Sequence, residues 1–452
     1  MLAITKQKNI NTYSVLKLAL SLIIAVCVSS HSVAQNNNNN NDAVGGIRID
    51  TKGVLQNNPI DLSHDIRSQI NKSLKTADTD LNKPGLRAFS LRKLEQTMLN
   101  HKSSGEQLPP AVKYMAGIQR IEYVMISPSG DDILIAGLGE GLTTNKDGVV
   151  VGSESGMPAI HLQDFLVAMR SVQNARTGKG ISVSIDPTED GVRNVQKLMK
   201  RMKPSTFTPD SAKALEDACG PQNITLTGVP KDSRFSNVLV AADYKMKRLA
   251  MGLEPAPEFL PSLLAVAKSK DVVLRKMSPR FWMEANYDPI AVSSDKNVWK
   301  LNGQGVCTKT MEEVNGREKA NKYATAWAKK MTKEFEDLSK VQPVFRELRN
   351  LMDLSVVAAI IAREQLFEKV SFQAPAINGY DMISIPKWNV PQQVPTECSY
   401  ARLTRAMLVT TSGGVTIRSW SVAANTVSDS KLGSFQQQAI GGQSDRWWWN
   451  VN

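Results

Sequence analysis

The chain has 452 residues, 42% hydrophobic and 22% charged, with a formal net charge of +12. Those proportions are ordinary for a globular protein and exclude a collagen-like or intrinsically disordered chain. Four cysteines are too few for a disulfide-stapled scaffold.

Residues 1–34 read as a cleavable secretion signal. Lys6 and Lys8 supply a positive start, Val15 to Val28 an apolar run, and Ser32-Val33-Ala34 the small residues that signal peptidase reads. The run is about 14 residues, short of the roughly 20 that span a bilayer. Cleavage after Ala34 leaves 418 residues carrying +9 and three cysteines, Cys219, Cys307 and Cys398, so at most one disulfide forms within the chain. Residues 35–46 are an asparagine-rich leader, expected to stay disordered because it has almost no apolar surface to bury. The mature chain is expected to be periplasmic or secreted, with no transmembrane segment.

Residues 47–110 read as a helical segment. Ile66, Ile70 and Leu74 recur at helical spacing, as do Leu91, Leu94, Met98 and Leu99. Residues 111–300 read as a mixed α/β domain. Ile121–Ile126, the turn at Ser127–Asp131, Asp132–Ala136 and Val149–Val151 suggest a small antiparallel meander. A helix follows, with Leu162, Phe165, Leu166 and Met169 on one face. Two strand-helix units come next. In the first, Ile181, Val183 and Ile185 alternate with serines, Asp186 is placed to cap a helix, and Pro187 suits its first position. That helix buries Val192, Val195, Leu198, Met199 and Met202, and its other face carries Arg193, Lys197, Lys200 and Arg201. The second unit has Ile224–Leu226, a loop at Gly228–Ser233, and a helix near Phe235–Leu253. Alternating strands and helices predict some parallel pairing.

Residues 301–375 read as a long antiparallel helical hairpin. Tyr323, Trp327, Met331, Phe335 and Leu338 stripe the first arm; Pro343 opens the second, lined by Phe345, Leu348, Met352, Val356 and Ile360. Residues 376–452 hold a strand pair, Ala406–Thr411 and Val415–Trp420, around a Ser412-Gly413-Gly414 turn. Trp447 to Trp449 are expected to dock the tail onto the body. The fold class is α/β, mixed α+β.

Motifs for chemistry are sparse. Gly137–Leu142 has Leu142 where a dinucleotide loop needs glycine or alanine, and no helix follows. Gly152–Gly156 carries Glu154 where a nucleophile elbow needs serine. His64, His101 and His161 lie far apart and read as surface or capping residues. Asp353 sits in the most apolar helix, where a buried carboxylate needs a partner; Arg349, Lys330 or a backbone group could supply it. No catalytic, cofactor-binding or metal-binding residue is predicted.

One positional argument remains. In α/β sheets ligands gather where strands end and helices begin. Those points carry Asp186, Lys231, Asp232 and Arg234, which converge if the two strands are neighbours; the same residues suit plain helix caps.

Several strings resemble a family known as a domain of unknown function in exported planctomycete proteins. They are Gly130–Gly137, Val150-Val151-Gly152, Gly156-Met157-Pro158, Leu162–Ala168, Ser184–Thr188, Gly228-Val229-Pro230, Val240–Arg248, Gly252–Pro255, Glu347–Asn350, Met352-Asp353-Leu354 and Val356–Ala359. The resemblance spans roughly residues 110 to 370. It implies secretion and a shared fold, and it brings no activity and no catalytic residue.

The function expected is a non-catalytic binding or structural component of the cell envelope. Its partner would be an anionic envelope polymer or another envelope protein, since +9 over 418 residues suits an anionic surface and an exported protein rarely meets nucleic acid. The alternative is an envelope-polymer hydrolase with Asp186 and Asp232 as acid and base.

Overall fold

The computed structural model of the chain describes residues 48–49, 55–56, 64–74, 79–177, 180–203, 208–268, 276–310, 322–402, 406–440 and 445–451. The secretion signal with its cleavage point, and the asparagine-rich leader, lie outside the described residues. Residues 43–452 cluster as one compact unit.

The chain opens with α1 (His64–Leu74), β1 (Gly85–Ser90) and α2 (Leu91–Ser104). Helix α2 starts where Ser90 accepts the Lys93 amide, stops at Gly105 in the left-handed region, and buries Leu91, Leu94 and Met98 as their spacing predicts. The first two strands of the expected meander pair as β2 (Ile118–Ile126) and β3 (Ile133–Gly139), but its third, β5 (Val150–Gly152), pairs with β4 (Leu142–Thr144) in a separate two-stranded sheet. Next come α3 (Leu162–Thr177), β6 (Ile181–Pro187), α4 (Glu189–Arg201), α5 (Pro209–Cys219), β7 (Gln222–Thr227) and α6 (Arg234–Met251). Strands β8 (Arg280–Asn286), β9 (Ile290–Val292), β10 (Val298–Lys300) and β11 (Gly305–Thr310) precede helices α7 (Lys322–Lys333), α8 (Phe335–Val341) and α9 (Pro343–Arg363). The C-terminal part holds α10 (Pro375–Asn378), β12 (Gln393–Val394), β13 (Ser412–Ile417), α11 (Ser419–Ala424), β14 (Thr426–Ser428), α12 (Leu432–Ala439) and β15 (Trp448–Asn450).

Among the described residues, two larger sheets organise these elements. One runs β14-β9-β10-β2-β3-β1-β15, the other β11-β8-β13-β6-β7-β12. The first sheet draws strands from three of the four expected segments, so the boundaries at 110, 300 and 375 fall within one body. Helix α9 is buried along most of its length and packs against α3, α6, α11 and strand β2.

Five further expectations are corrected. The strand pair expected around a Ser412-Gly413-Gly414 turn does not form, because those residues open β13 and Ala406–Val409 belongs to a different sheet. The first hairpin arm is two helices, α7 and α8, broken at Glu334, and α9 is a central helix rather than one arm. Strands β6 and β7 pair antiparallel, and β8 pairs parallel with β13, a strand from far along the chain. Helix α4 starts at Glu189 with Thr188 as its cap, accepting the Gly191 amide at 3.0 Å. Asp186 and Pro187 belong to β6 instead, because the ladder opposite Asn223 and Gln222 claims them. Finally, Gly85–Ser90, expected to be helical, is a strand between β3 and β15.

The tail docks as expected. Trp447, Trp448 and Trp449 are buried, β15 pairs with β1, and the Trp449 indole donates to the Ala439 carbonyl at 2.6 Å. Cys219, Cys307 and Cys398 are buried and none forms a disulfide.

Candidate ligand-binding cleft

The four residues singled out at the strand ends do not converge. Asp186 lies four residues along β6 from Ser182, the position opposite Thr227, where the loop towards Asp232 begins. At roughly 3.3 Å per residue that is roughly 13 Å along the strand. Antiparallel pairing therefore puts Asp186 and the Lys231-Asp232 loop at opposite ends of the sheet, and the acid-base pair of a hydrolase is not assembled.

Each of the four has its own setting. Asp186 pairs with Arg280 at 3.1 Å. Asp232 is exposed and lies 3.4 Å from the Lys387 ammonium, while Lys231 is exposed. The cap of α6 is Ser233, whose hydroxyl accepts the Ser236 amide at 3.2 Å. Arg234 is only 2% exposed, one residue inside the helix, and donates to both Asp164 and Glu347. That cluster joins α3, α6 and α9 through one guanidinium between two carboxylates. His161, buried at the start of α3 against Tyr114, lies beside it. Burial and the nearby Arg234 cation hold its imidazole well below its usual range.

Two further charge clusters are closed in the same way. Lys247 and Asp243 pair at 2.8 Å inside α6, and the Lys247 ammonium also donates to the carbonyls of Ile185 and Gly413 at 3.3 Å. Burial pushes Asp243 up and Lys247 down. Asp353 accepts from the Tyr287 hydroxyl at 2.5 Å and faces Arg120 at 3.7 Å. Burial pushes the Asp353 carboxyl up, against the Arg120 cation and the Tyr287 hydrogen bond. Arg349, a partner considered for Asp353, makes its close pair with Glu336, and its cation also favours the charged Asp353 carboxylate.

Open clefts among the described residues include two of different size. The smaller, about 230 Å³, is lined in part by Glu284, Tyr287, Asp288 and Arg418. Glu284 is engaged by Lys309 at 3.1 Å. The larger, about 660 Å³, lies within the roughly 300–1,000 Å³ usual for ligand sites. It is lined by Ser171 and Asn174 of α3, by Gly180, Ser182 and Thr227 at one end of the sheet, and by Gly228, Val229, Pro230 and Tyr380.

The local sequence explains this shape. Gly228 has φ +84°, and a Cβ there would lie 2.7 Å from the Gly180 carbonyl oxygen. Only glycine lets the two loops close so tightly and leave the cleft open beside them. The Pro230 carbonyl accepts from the hydroxyls of Ser233 and Ser236, both at 2.7 Å, which ties the loop to the start of α6. On the opposite wall, Glu95 accepts the amides of Ala376 and Ile377 at 2.6 and 2.9 Å. Arg170 donates to the carbonyls of the same two residues at 2.7 and 3.0 Å. These bonds clamp α10 and set the position of Tyr380, which is 55% exposed with the Arg170 guanidinium 5.3 Å from its ring centre.

The cleft differs from the interior clusters in one respect. Among the described residues none of its lining side chains carries charge, and Ser171, 1% exposed, has a hydroxyl with no hydrogen-bond partner there. The Ser182 and Thr227 hydroxyls bond each other at 2.8 Å near the mouth. Sequence reading picked out neither Ser171 nor Tyr380.

Residues 183–263 match a family model described as a protein of unknown function (DUF1598). The match covers β6 from Val183 onwards, β7, the Gly228–Pro230 loop and α6, so of the cleft lining it includes Thr227, Gly228, Val229 and Pro230. No curated protein and no solved structure matches the chain.

Proposed function

We propose that the protein is an exported, non-catalytic binding component of the cell envelope. The observation that carries this reading is the 660 Å³ cleft, whose lining is neutral and whose Ser171 hydroxyl lacks a partner. A buried hydroxyl left unsatisfied costs about 1–3 kcal/mol, and a ligand that completes it recovers that cost. Catalysis by paired carboxylates has no counterpart in this cleft. Export is supported by the composition of residues 1–34, and among the described residues no helix is long and apolar enough to cross a membrane.

A second surface supports an anionic partner. Lys197, Lys200 and Arg201 project from α4 into solvent with no ion pair among the described residues, whereas Arg193 is shared by Asp190 and Glu189.

The test is a thermal-shift panel on the purified protein with envelope glycans, anionic polymers and divalent metals. A ligand at 100 times its dissociation constant stabilises the fold by about 2.7 kcal/mol, which such a panel detects. A response abolished by substitutions in the cleft supports the reading. Turnover of any panel member would refute the non-catalytic part, and recovery of the untagged protein in the cytoplasmic fraction alone would refute export.

A further inference from the structure

We propose that the ligand of this cleft is a neutral saccharide unit, its ring stacked on Tyr380 and its hydroxyls bonded to Ser171, Asn174 and the Ser182–Thr227 pair. This inference rests on the binding reading above and names the class of ligand.

The lining chemistry argues for it. A hydroxyl both donates and accepts, and so does a carboxamide, so Ser171, Ser182, Thr227 and Asn174 match a ligand that presents many hydroxyls. Phosphate or carboxylate ligands would draw on a cation, and among the described residues the lining offers none. The nearest candidate, Arg170, donates to the carbonyls of Ala376 and Ile377, and its guanidinium lies against Tyr380. A purely apolar ligand would leave the Ser171 hydroxyl as it is, buried and unpartnered. A pyranose ring combines an apolar C–H face with a rim of hydroxyls, which is what an exposed aromatic beside neutral polar groups accommodates.

Tyr380 is suited to act as that platform. It is exposed in a monomeric chain, yet its backbone is clamped through α10 by two buried charged groups, Glu95 and Arg170. A platform whose neighbouring backbone is held in advance loses less conformational entropy on binding than one on a free loop. The volume suffices for one or two sugar rings rather than a long chain segment, so binding at a chain end or branch is expected.

The experiment is isothermal titration of the purified protein with a panel of neutral mono- and oligosaccharides, neutral peptides and nucleosides. It uses the wild type, Tyr380→Ala, Tyr380→Phe, Asn174→Ala and Ser171→Ala. Tyr380 and Asn174 are exposed, so their variants should keep the wild-type melting temperature, and Tyr380→Phe retains the platform without the hydroxyl. The expected result is saccharide binding that Tyr380→Ala weakens at least tenfold, that Asn174→Ala and Ser171→Ala weaken several-fold, and that Tyr380→Phe leaves within about threefold. Binding should be insensitive to salt, because no counterion is displaced. If peptides or nucleosides bind in a Tyr380-dependent way while saccharides do not, the saccharide assignment is overturned and the cleft remains a binding site. If no panel member responds to Tyr380→Ala or Asn174→Ala, the cleft reading falls with it.

Discussion

The interior around Arg234 and the cleft beside Ser171 are built on the same helix. Helix α3 carries Asp164 into the first and Ser171 into the second, two turns apart. In the interior the polar groups are charged and set against opposite charges, even where an atom such as Asp243 Oδ1 or Asp353 Oδ2 has no hydrogen-bond partner: Arg234 lies between Asp164 and Glu347 and ties three helices together. In the cleft they are neutral, and one is left over. Desolvation accounts for the difference. A buried charge without a counter-charge costs several kcal/mol, so the fold cannot hold one in reserve. An unpartnered hydroxyl costs far less and can be kept for a ligand.

The largest effect should come from opening the interior. Arg234→Ala leaves Asp164 and Glu347 buried without their cation, and should lower stability by about 3–5 kcal/mol in urea unfolding. Arg234→Lys should not restore it, because a single ammonium cannot donate in two directions with the planar geometry of a guanidinium. A loss of under about 1 kcal/mol for Arg234→Ala would mean that the cluster does not hold α3, α6 and α9 together.

Neither region was equally legible in the sequence. Helices with a clean apolar stripe were: Trp327, Met331, Phe335 and Leu338 are all buried, and Pro343 opens α9 at its first position. Pairing direction was not, since the alternation of Ile181, Val183 and Ile185 is the same whether the neighbour runs parallel or antiparallel. The start of α4 slipped by two residues because Asp186 and Thr188 are both good caps, and the strand ladder decided between them. Arg234 was weighed as a ligand contact or a plain helix cap, although the run Phe235 to Ala242 beside it is buried on all sides of its helix. That apolar run was the available signal that a charge at its edge would be drawn inside and need partners. Strand β1 was missed because Arg87 sits at its centre. There Arg87 is fully buried, donating to the carbonyls of Leu81, Lys83 and Glu140 at 2.6, 2.6 and 3.0 Å. The cleft itself is assembled from Ser171, Thr227 and Tyr380, which only tertiary packing brings together. Its sequence traces are the Gly228-Val229-Pro230 loop and an aromatic following Gly379.

The next effect is the pH dependence of the interior. An unfolded histidine titrates near 6.5, whereas His161 in the fold is held well below that by burial and Arg234. Below about pH 6.5 the unfolded chain therefore binds more protons than the folded one. This contribution to stability is present above that range and is lost as pH falls, by about 1.4 kcal/mol per pH unit. Asp243 and Asp353, raised by burial, act in the opposite sense, so the comparison must be made against a variant. Urea unfolding at pH 7.5, 6.5 and 5.5 should show a shallower acid loss for His161→Phe than for the wild type. Equal slopes would show that this histidine is not the group responsible.

Ser171 should behave in the reverse way to Arg234. Removing an unpartnered hydroxyl lifts its desolvation penalty, so Ser171→Ala should raise stability by about 1 kcal/mol at neutral pH. A loss of similar size would show that the hydroxyl has a partner within the fold, and the contrast between the two regions would disappear.

The smallest effect on stability is expected on the outer face of α4, where it separates a binding surface from net charge. Lys197, Lys200 and Arg201 make no ion pair among the described residues, so changing all three to glutamine should alter stability by less than about 0.5 kcal/mol. The same variant should elute from an immobilised anionic polymer at markedly lower salt. The control is a second triple, Lys72, Lys102 and Lys296 to glutamine, which removes the same charge from exposed positions elsewhere. If both triples shift elution equally, the polymer senses only the overall basic charge, which acts at distances set by screening. If the α4 triple shifts it far more, the three cations act together as one surface, and neutral cleft and basic helix contact different parts of the envelope.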